Sequence, residues 1–184
     1  MSGEERLPVV YQINGRRLET TVRPGDRLLR VLRGLGEHSV KYGCDTGECG
    51  ACTVLVDGEP ILACLYPAIR ADGKAITTVA ALGHPDALDP LQAAFLAHGA
   101  VQCGYCTPAM LLAARALLAR DPAADTAAIR TALAGVLCRC TGYVKPVEAI
   151  AAYVASGAEP AAATTPAPPE GRPALRSPAP RPGG

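Results

Sequence analysis

Eight cysteines fall into two separated sets of four, at positions 44, 49, 52 and 64 and at 103, 106, 138 and 140. In the first set Cys44, Cys49 and Cys52 lie within the stretch GCDTGECGAC, and Cys64 follows one short hairpin later. C-x4-C-x2-C with a distant fourth cysteine is a spacing at which four thiolates hold two irons bridged by two sulfides. Gly43, Gly47 and Gly50 are expected to let the backbone take positive φ and approach such a cluster closely. A loop of this kind also turns successive N–H groups toward an anion. Zinc is the alternative, although a structural zinc site usually draws on two C-x2-C-like pairs rather than a triplet in a glycine loop.

In the second set Cys103 and Cys106 form a C-x2-C at the start of a helix entered through Thr107-Pro108, and Cys138-Arg139-Cys140 follows the next helix. The start of one helix and the end of its neighbour can meet in space, so all four sulfurs can converge at one end of a bundle. The helix N-terminus offers unsatisfied N–H groups and partial positive charge to an anionic cluster, and Arg139 adds a positive charge nearby. The same four residues could build a zinc site, so spacing leaves both chemistries open here. His38, His84 and His98 have no ligand spacing, and both cysteine sets are complete without them.

Composition narrows the class. The 184 residues suit one or two small domains, and 49% hydrophobic content supports cores, yet there is no Trp and a single Phe. A formal charge of +1 gives no argument for nucleic acid or an anionic membrane surface. No apolar run reaches the length of a membrane span, since Arg115 interrupts even MLLAARALLA. The polar start MSGEERLPVVYQ lacks a secretory apolar stretch, and Arg16-Arg17 precedes LETTV rather than an apolar region. A cytoplasmic protein is expected, with its cysteines reduced and available as ligands.

The elements that must position these cysteines read in order. Val9, Tyr11 and Ile13 alternate with Val10 and Gln12, and Leu18, Thr20 and Val22 alternate beyond Asn14-Gly15, which predicts an opening hairpin. Asp26 is expected to cap a short helix striped by Leu28, Leu29, Leu32 and Leu35. After the cysteine loop, Thr53–Val56 and Ile61–Leu62 predict a second hairpin across Asp57-Gly58, and Ala75–Val79 a last strand. Gly83–Asp86 reads as a linker. Helices are then expected from Pro90, capped by Asp89; through Met110, Leu111, Ala114, Leu117 and Leu118; after Asp125, with Ile129, Leu133, Val136 and Leu137 on one side; and from Pro146 to Ser156-Gly157. Four short amphipathic helices make a bundle. The Pro-, Ala- and Gly-rich remainder cannot bury a core and is expected to be a disordered tail, or else a tether to a partner chain.

Taken together, YGCDTGECGACTVLVDG, ILACLYPA, QCGYCTPAM and GVLCRCTGY, found in this order, resemble the iron–sulfur subunit or domain of the molybdenum hydroxylases. These include xanthine dehydrogenase, aldehyde oxidoreductase, isoquinoline oxidoreductase and aerobic carbon monoxide dehydrogenase. The resemblance covers roughly residues 7 to 155. With the elements read above, the chain is expected to be α+β in three parts: a domain over residues 1–82 that the resemblance implies is β-grasp and ferredoxin-like, a four-helix bundle over 83–157, and the tail over 158–184, which lies outside the resemblance. The resemblance further implies that Cys44, Cys49, Cys52 and Cys64 hold a plant-type 2Fe-2S cluster, and that Cys103, Cys106, Cys138 and Cys140 hold a second 2Fe-2S cluster. The second cluster then lies nearest a molybdopterin carried mainly by a large partner subunit, and Gln102 contacts that cofactor. The chain would pass electrons one at a time from the molybdopterin to a flavin-binding subunit or a cytochrome, with no catalytic acid or base of its own. Ala109 stands where the family usually has Gly, and Val136 where GNLCRC has Asn, which puts the local backbone and the hydrogen bonds around Cys138 in question. The competing reading is a freestanding ferredoxin-like carrier or a metal-stabilised interaction module.

Overall fold

The computed structural model describes residues 5–159. The chain opens with strands β1 (Leu7–Ile13) and β2 (Arg16–Val22), paired antiparallel so that Val9 faces Thr20 and Tyr11 faces Leu18. Asn14 and Gly15 both take positive φ between them, the backbone that a two-residue hairpin of matching twist demands. Alternation sends Val9, Tyr11 and Ile13 into the core, where the buried Tyr11 hydroxyl donates to the Ala68 carbonyl at 3.0 Å.

Helix α1 (Leu28–Gly34) buries Leu28, Leu29 and Leu32. Its start is capped differently from the expectation for Asp26. The carboxylate of Asp26 accepts from the Arg23 N–H at 2.8 Å and closes the preceding turn. The helix's first N–H groups are taken by backbone: Leu28 donates to the Tyr66 carbonyl and Leu29 to that of Ala63, each at 2.9 Å. This arrangement satisfies the orphan donors of a helix start and ties α1 to the segment carrying Cys64.

Strands β3 (Thr53–Val56), β4 (Glu59–Leu62) and β5 (Ala75–Thr77) complete a five-stranded sheet in the order β2-β1-β5-β3-β4. β1 and β5 run parallel, and the other neighbours antiparallel. β5 is shorter than the expected Ala75–Val79. The side chain of Thr78 accepts from the Ala80 N–H and starts a 3-10 turn over Val79–Ala81, while its own N–H is held by Asn14 Oδ1 at 2.8 Å.

Four helices follow: α2 (Pro90–Ala97), α3 (Thr107–Arg120), α4 (Thr126–Leu133) and α5 (Val144–Ser156). Asp89 caps α2 in a capping box with Gln92, and Asp125 caps α4 through the Ala128 N–H at 2.8 Å. α4 stops at Leu133, short of the expected Val136 and Leu137, where the Leu137 N–H turns to the Cys49 carbonyl instead. α5 begins two residues before Pro146 and ends at Gly157 in the left-handed region. The residues proposed as a tail lie, from 160 onward, outside the described residues.

Two hydrophobic cores result. One gathers Tyr11, Leu28, Leu32, Val54, Val56 and Ile76 between sheet and α1, and the other gathers Leu91, Phe95, Met110, Ile129 and Leu133 among the later helices. β3 serves both, because Leu55 belongs to the helical core while Val54 and Val56 belong to the sheet core. Phe95 is 1% exposed in a core rich in alanine, so few large side chains can collapse onto the space it leaves. Phe95→Ala is expected to destabilise the fold by about 3–5 kcal/mol, read from denaturant unfolding. A loss below about 1 kcal/mol would refute this account of the core.

Candidate metal centres

The first set sits on the loop between α1 and β3 and just after β4. Cys52 and Cys64 are buried, while Cys44 and Cys49 are partly exposed. The loop's first glycine does not take positive φ, as Gly47 and Gly50 do; its role is space. A Cβ on Gly43 would lie 2.5 Å from Cys49 Sγ. The sulfur of Cys44 accepts from the backbone N–H groups of Thr46 and Cys49, each at 3.4 Å. The hydrogen bond with the Thr46 side chain, followed by the Cys49 N–H, draws the Cys44 thiol down to about 6. Burial instead pushes Cys52 up to about 12, with Cys64 hydrogen-bonded to its sulfur.

The second set lies where the start of α3 meets the turn between α4 and α5. Cys103 and Cys140 are exposed and their sulfurs stand 3.6 Å apart. Cys106 is buried, and burial pushes it up to about 12; its sulfur is hydrogen-bonded to that of Cys138. Burial also opposes ionisation of Cys138, yet hydrogen bonds led by that with the Thr141 side chain draw its thiol below the ordinary range. The Cys138 N–H donates to Tyr143 Oη at 2.9 Å. Ala109 and Val136, at 0% and 2% exposed, are both packed into the helical core. An apolar side chain at each suits these surroundings, and the hydrogen bonds around Cys138 come from Thr141 and Tyr143.

The sulfurs in each set therefore come as pairs: Cys44 with Cys49, Cys52 with Cys64, Cys103 with Cys140, and Cys106 with Cys138. Among the described residues no three Cys, His, Asp or Glu side chains converge as a site for one ion. Two sulfurs for each of two irons is what a four-cysteine 2Fe-2S cluster asks for, so the donor set fits that group. A thiol held protonated by burial gives up its proton when a metal takes the sulfur, which is the situation of Cys52 and Cys106.

The two loops are locked to each other. The Leu137 N–H, one residue before Cys138, donates to the Cys49 carbonyl at 2.9 Å. Gly50 packs so closely that a Cβ there would lie 2.0 Å from the Gly135 carbonyl oxygen. Tyr105, between Cys103 and Cys106, donates its hydroxyl to the Tyr42 carbonyl. Arg30 on α1 steadies the first loop through an ion pair with Asp45 at 2.8 Å, its guanidinium 5.6 Å from the Tyr42 ring centre. Gln102 is exposed beside Cys103. Sequence reasoning missed Thr46, Thr141 and Tyr143, although a threonine two or three residues after a ligand-type cysteine is a signal that could have found the first two.

Two family models match in tandem. One described as a 2Fe-2S iron-sulfur cluster binding domain covers residues 11–81, and one described as a 2Fe-2S binding domain covers residues 78–151. The nicotinate dehydrogenase small FeS subunit of Eubacterium barkeri is 44% identical over 141 residues, 76% of this chain and 90% of that one. The xanthine dehydrogenase iron-sulfur-binding subunit of Escherichia coli O157:H7 is 46% identical over 145 residues, 78% of this chain and 91% of that one. The chain belongs to the iron–sulfur subunits of the molybdenum hydroxylases. Among solved structures, this iron–sulfur subunit matches a chain of quinoline 2-oxidoreductase from Pseudomonas putida 86 at TM-score 0.78 and 40% identity, covering 83% of this chain and 95% of that one. Its match to the Desulfovibrio gigas aldehyde oxidoreductase has TM-score 0.79 and 38% identity, covering 84% of this chain but 18% of that one. The same unit thus occurs both as a separate subunit and as part of a much longer chain. As a member of this family, the iron–sulfur subunit carries two 2Fe-2S clusters and serves an oxidoreductase.

Proposed function

We propose that this chain is the electron conduit of a molybdenum-dependent hydroxylase. In this reading Cys44, Cys49, Cys52 and Cys64 hold one cluster in a β-grasp, ferredoxin-like domain over residues 1–82. Cys103, Cys106, Cys138 and Cys140 hold the other in a four-helix bundle over 83–157. The observation that carries the reading is the hydrogen bond from the Leu137 N–H to the Cys49 carbonyl. It joins the main chain next to Cys138 directly to Cys49, so the protein connects its two metal loops through one short bridge.

Held by these two sets of four cysteines, the clusters would supply one-electron transfer without bond making or breaking. The chain's own residues hold the two loops at a fixed separation, supply N–H and O–H donors to sulfur, and exclude water from Cys52, Cys64 and Cys106. None of them needs an acid–base role.

The second centre faces outward at the Cys103–Cys140 edge, and exposed Tyr105, Leu137 and Val144 stand within a few residues of its cysteines in the chain. Apolar side chains at a rim of this kind support docking of a partner. We assign this face to a large molybdopterin-binding subunit, with Gln102 directed at the cofactor. The first centre is then the exit, toward a flavin-binding subunit or a cytochrome. No helix among the described residues is long and apolar enough to cross a membrane, and we place the complex in the cytoplasm. The relatives' names span nicotinate, xanthine and aldehyde. The substrate of this complex is accordingly proposed to be a small heteroaromatic compound or aldehyde, bound on the partner.

The test is metal content and company. The purified chain is expected to hold about four irons and four acid-labile sulfides, two of each per four-cysteine cluster. It should also co-purify with a much larger molybdopterin polypeptide. Stoichiometric zinc without labile sulfide would sink the reading, and a red-brown monomer without a partner would favour the freestanding carrier.

A further inference from the structure

We propose that Thr141 tunes the second cluster, its hydroxyl donating a hydrogen bond to the Cys138 sulfur that stabilises the reduced state over the oxidised one. The inference rests on the reading of Cys138 as a cluster ligand.

The geometry is a closed ring of three hydrogen bonds. Thr141 Oγ1 lies 3.1 Å from Cys138 Sγ. The Tyr143 N–H donates to that same hydroxyl oxygen at 3.2 Å. The Cys138 N–H, in turn, donates to Tyr143 Oη at 2.9 Å. Between two neutral groups, either oxygen or sulfur could be the donor. A thiolate bound to iron has no proton to give, so only the direction from the threonine hydroxyl to sulfur remains. The oxygen that must donate also accepts from a backbone N–H, and chained hydrogen bonds polarise one another in the direction that strengthens the last donor.

The backbone is bent to make this ring. Gly142 and Tyr143 both stand in the left-handed region, at φ 59 and 66. For a tyrosine that conformation is uncommon and unfavourable, and such strain persists only where the surroundings enforce it. Here the surroundings are the two bonds that bring Tyr143 N–H to Thr141 and Tyr143 Oη to Cys138. The first centre has a partial counterpart: Cys44 is hydrogen-bonded to the Thr46 side chain, but it also accepts from the backbone N–H groups of Thr46 and Cys49, which substitution cannot remove.

A donor aimed at a ligand sulfur favours whichever state carries more negative charge there, which is the reduced one. One electron enters on reduction, no bond is made or broken, and the hydroxyl keeps its proton. Thr141 touches the ligand rather than substrate, so it is a positioning residue with an electrostatic effect on redox balance.

The experiment is an EPR-monitored redox titration of the holo-complex, comparing wild type with Thr141→Val, Thr141→Ala and Thr141→Ser. In the Val and Ala variants the reduced-to-oxidised ratio of the second cluster at a fixed potential is expected to fall about tenfold. That corresponds to about 59 mV toward negative potential for a one-electron couple. Thr141→Ser should stay within about twofold of wild type, and the first cluster should not move in any variant, because its sulfurs have other donors. Pulsed EPR of the wild type in light and heavy water should show an exchangeable proton coupled to the second cluster, retained in the Ser variant. Val and Ala variants that titrate with the wild type would overturn the proposal. Loss of the second cluster in both would overturn it in favour of a role in assembly, and so would absence of the exchangeable proton in the wild type. A wild type lacking a second paramagnetic signal would instead overturn the assignment of Cys138.

Discussion

Gly50→Ala is expected to lower the melting temperature by about 10 °C and to uncouple the two metal loops. Two costs add. Gly50 has φ +70, where an L-residue costs about 1–2 kcal/mol. The added methyl would also lie 2.0 Å from the Gly135 carbonyl oxygen and 2.9 Å from Val136 Cα. These are backbone atoms, which cannot rotate away as a side chain could, and forced overpacking costs about 1–3 kcal/mol. The sum is about 3 kcal/mol, and each kcal/mol moves a domain of this size by about 2–4 °C. The first thing to yield should be the neighbouring bond from Leu137 to Cys49. Gly58→Ala separates the two contributions, since Gly58 has φ +85 with nothing within 4 Å of its Cβ position. Equal melting losses in the two variants would mean that the close approach of the loops carries no energy. The magnetic interaction between the clusters, read by EPR, should weaken in Gly50→Ala only.

Removing one cysteine from each set should split the path of electrons in opposite ways. In a Cys49→Ser complex, substrate is expected to reduce the second cluster still, while turnover with the acceptor falls to background. In a Cys103→Ser complex, substrate should leave the first cluster oxidised although a chemical reductant still reduces it. The expectation follows from placing the exposed Cys103–Cys140 edge against the molybdopterin partner. Each loop also draws on its own sulfurs, so loss of one centre need not dismantle the other. Freeze-quench EPR after mixing with substrate distinguishes the two cases. Reduction of the first cluster by substrate in the Cys103 variant would reverse the proposed direction.

Much of this could be read from residue types. Asn14-Gly15 and Asp57-Gly58 mark both hairpins, because few dipeptides tolerate positive φ at two successive positions. Asp89 and Asp125 mark two helix starts for the reason that their carboxylates take the orphan N–H groups. The cysteine spacing singled out the two loops whose sulfurs the fold brings together in pairs, and the four motifs identified the family. Much of what escaped was carried by backbone. Asp26 looked like a helix cap, yet the carbonyls of Ala63 and Tyr66 do that work, and no side-chain pattern announces a carbonyl. The lock between the loops uses the Cys49 carbonyl, the Leu137 N–H and the absent side chain of Gly50, which are equally silent in a sequence. Tyr143 is the hardest case, since nothing in GVLCRCTGY signals that a tyrosine will turn left-handed and bring its hydroxyl back to Cys138.

The strand β3 has its four residues buried, with Leu55 turned to the helices and Val54 and Val56 to the sheet. A wall shared by two rooms cannot be taken down for one of them alone. If the helices were severed, Leu55 would be left bare on a sheet face; if the sheet were severed, the helical core would lose a side chain that no helix supplies. The present halves are therefore not two interchangeable modules joined by a linker. A lineage that began as a lone carrier would have had to re-surface this strand before the second half could be added, and one that lost the second half would have to do so again.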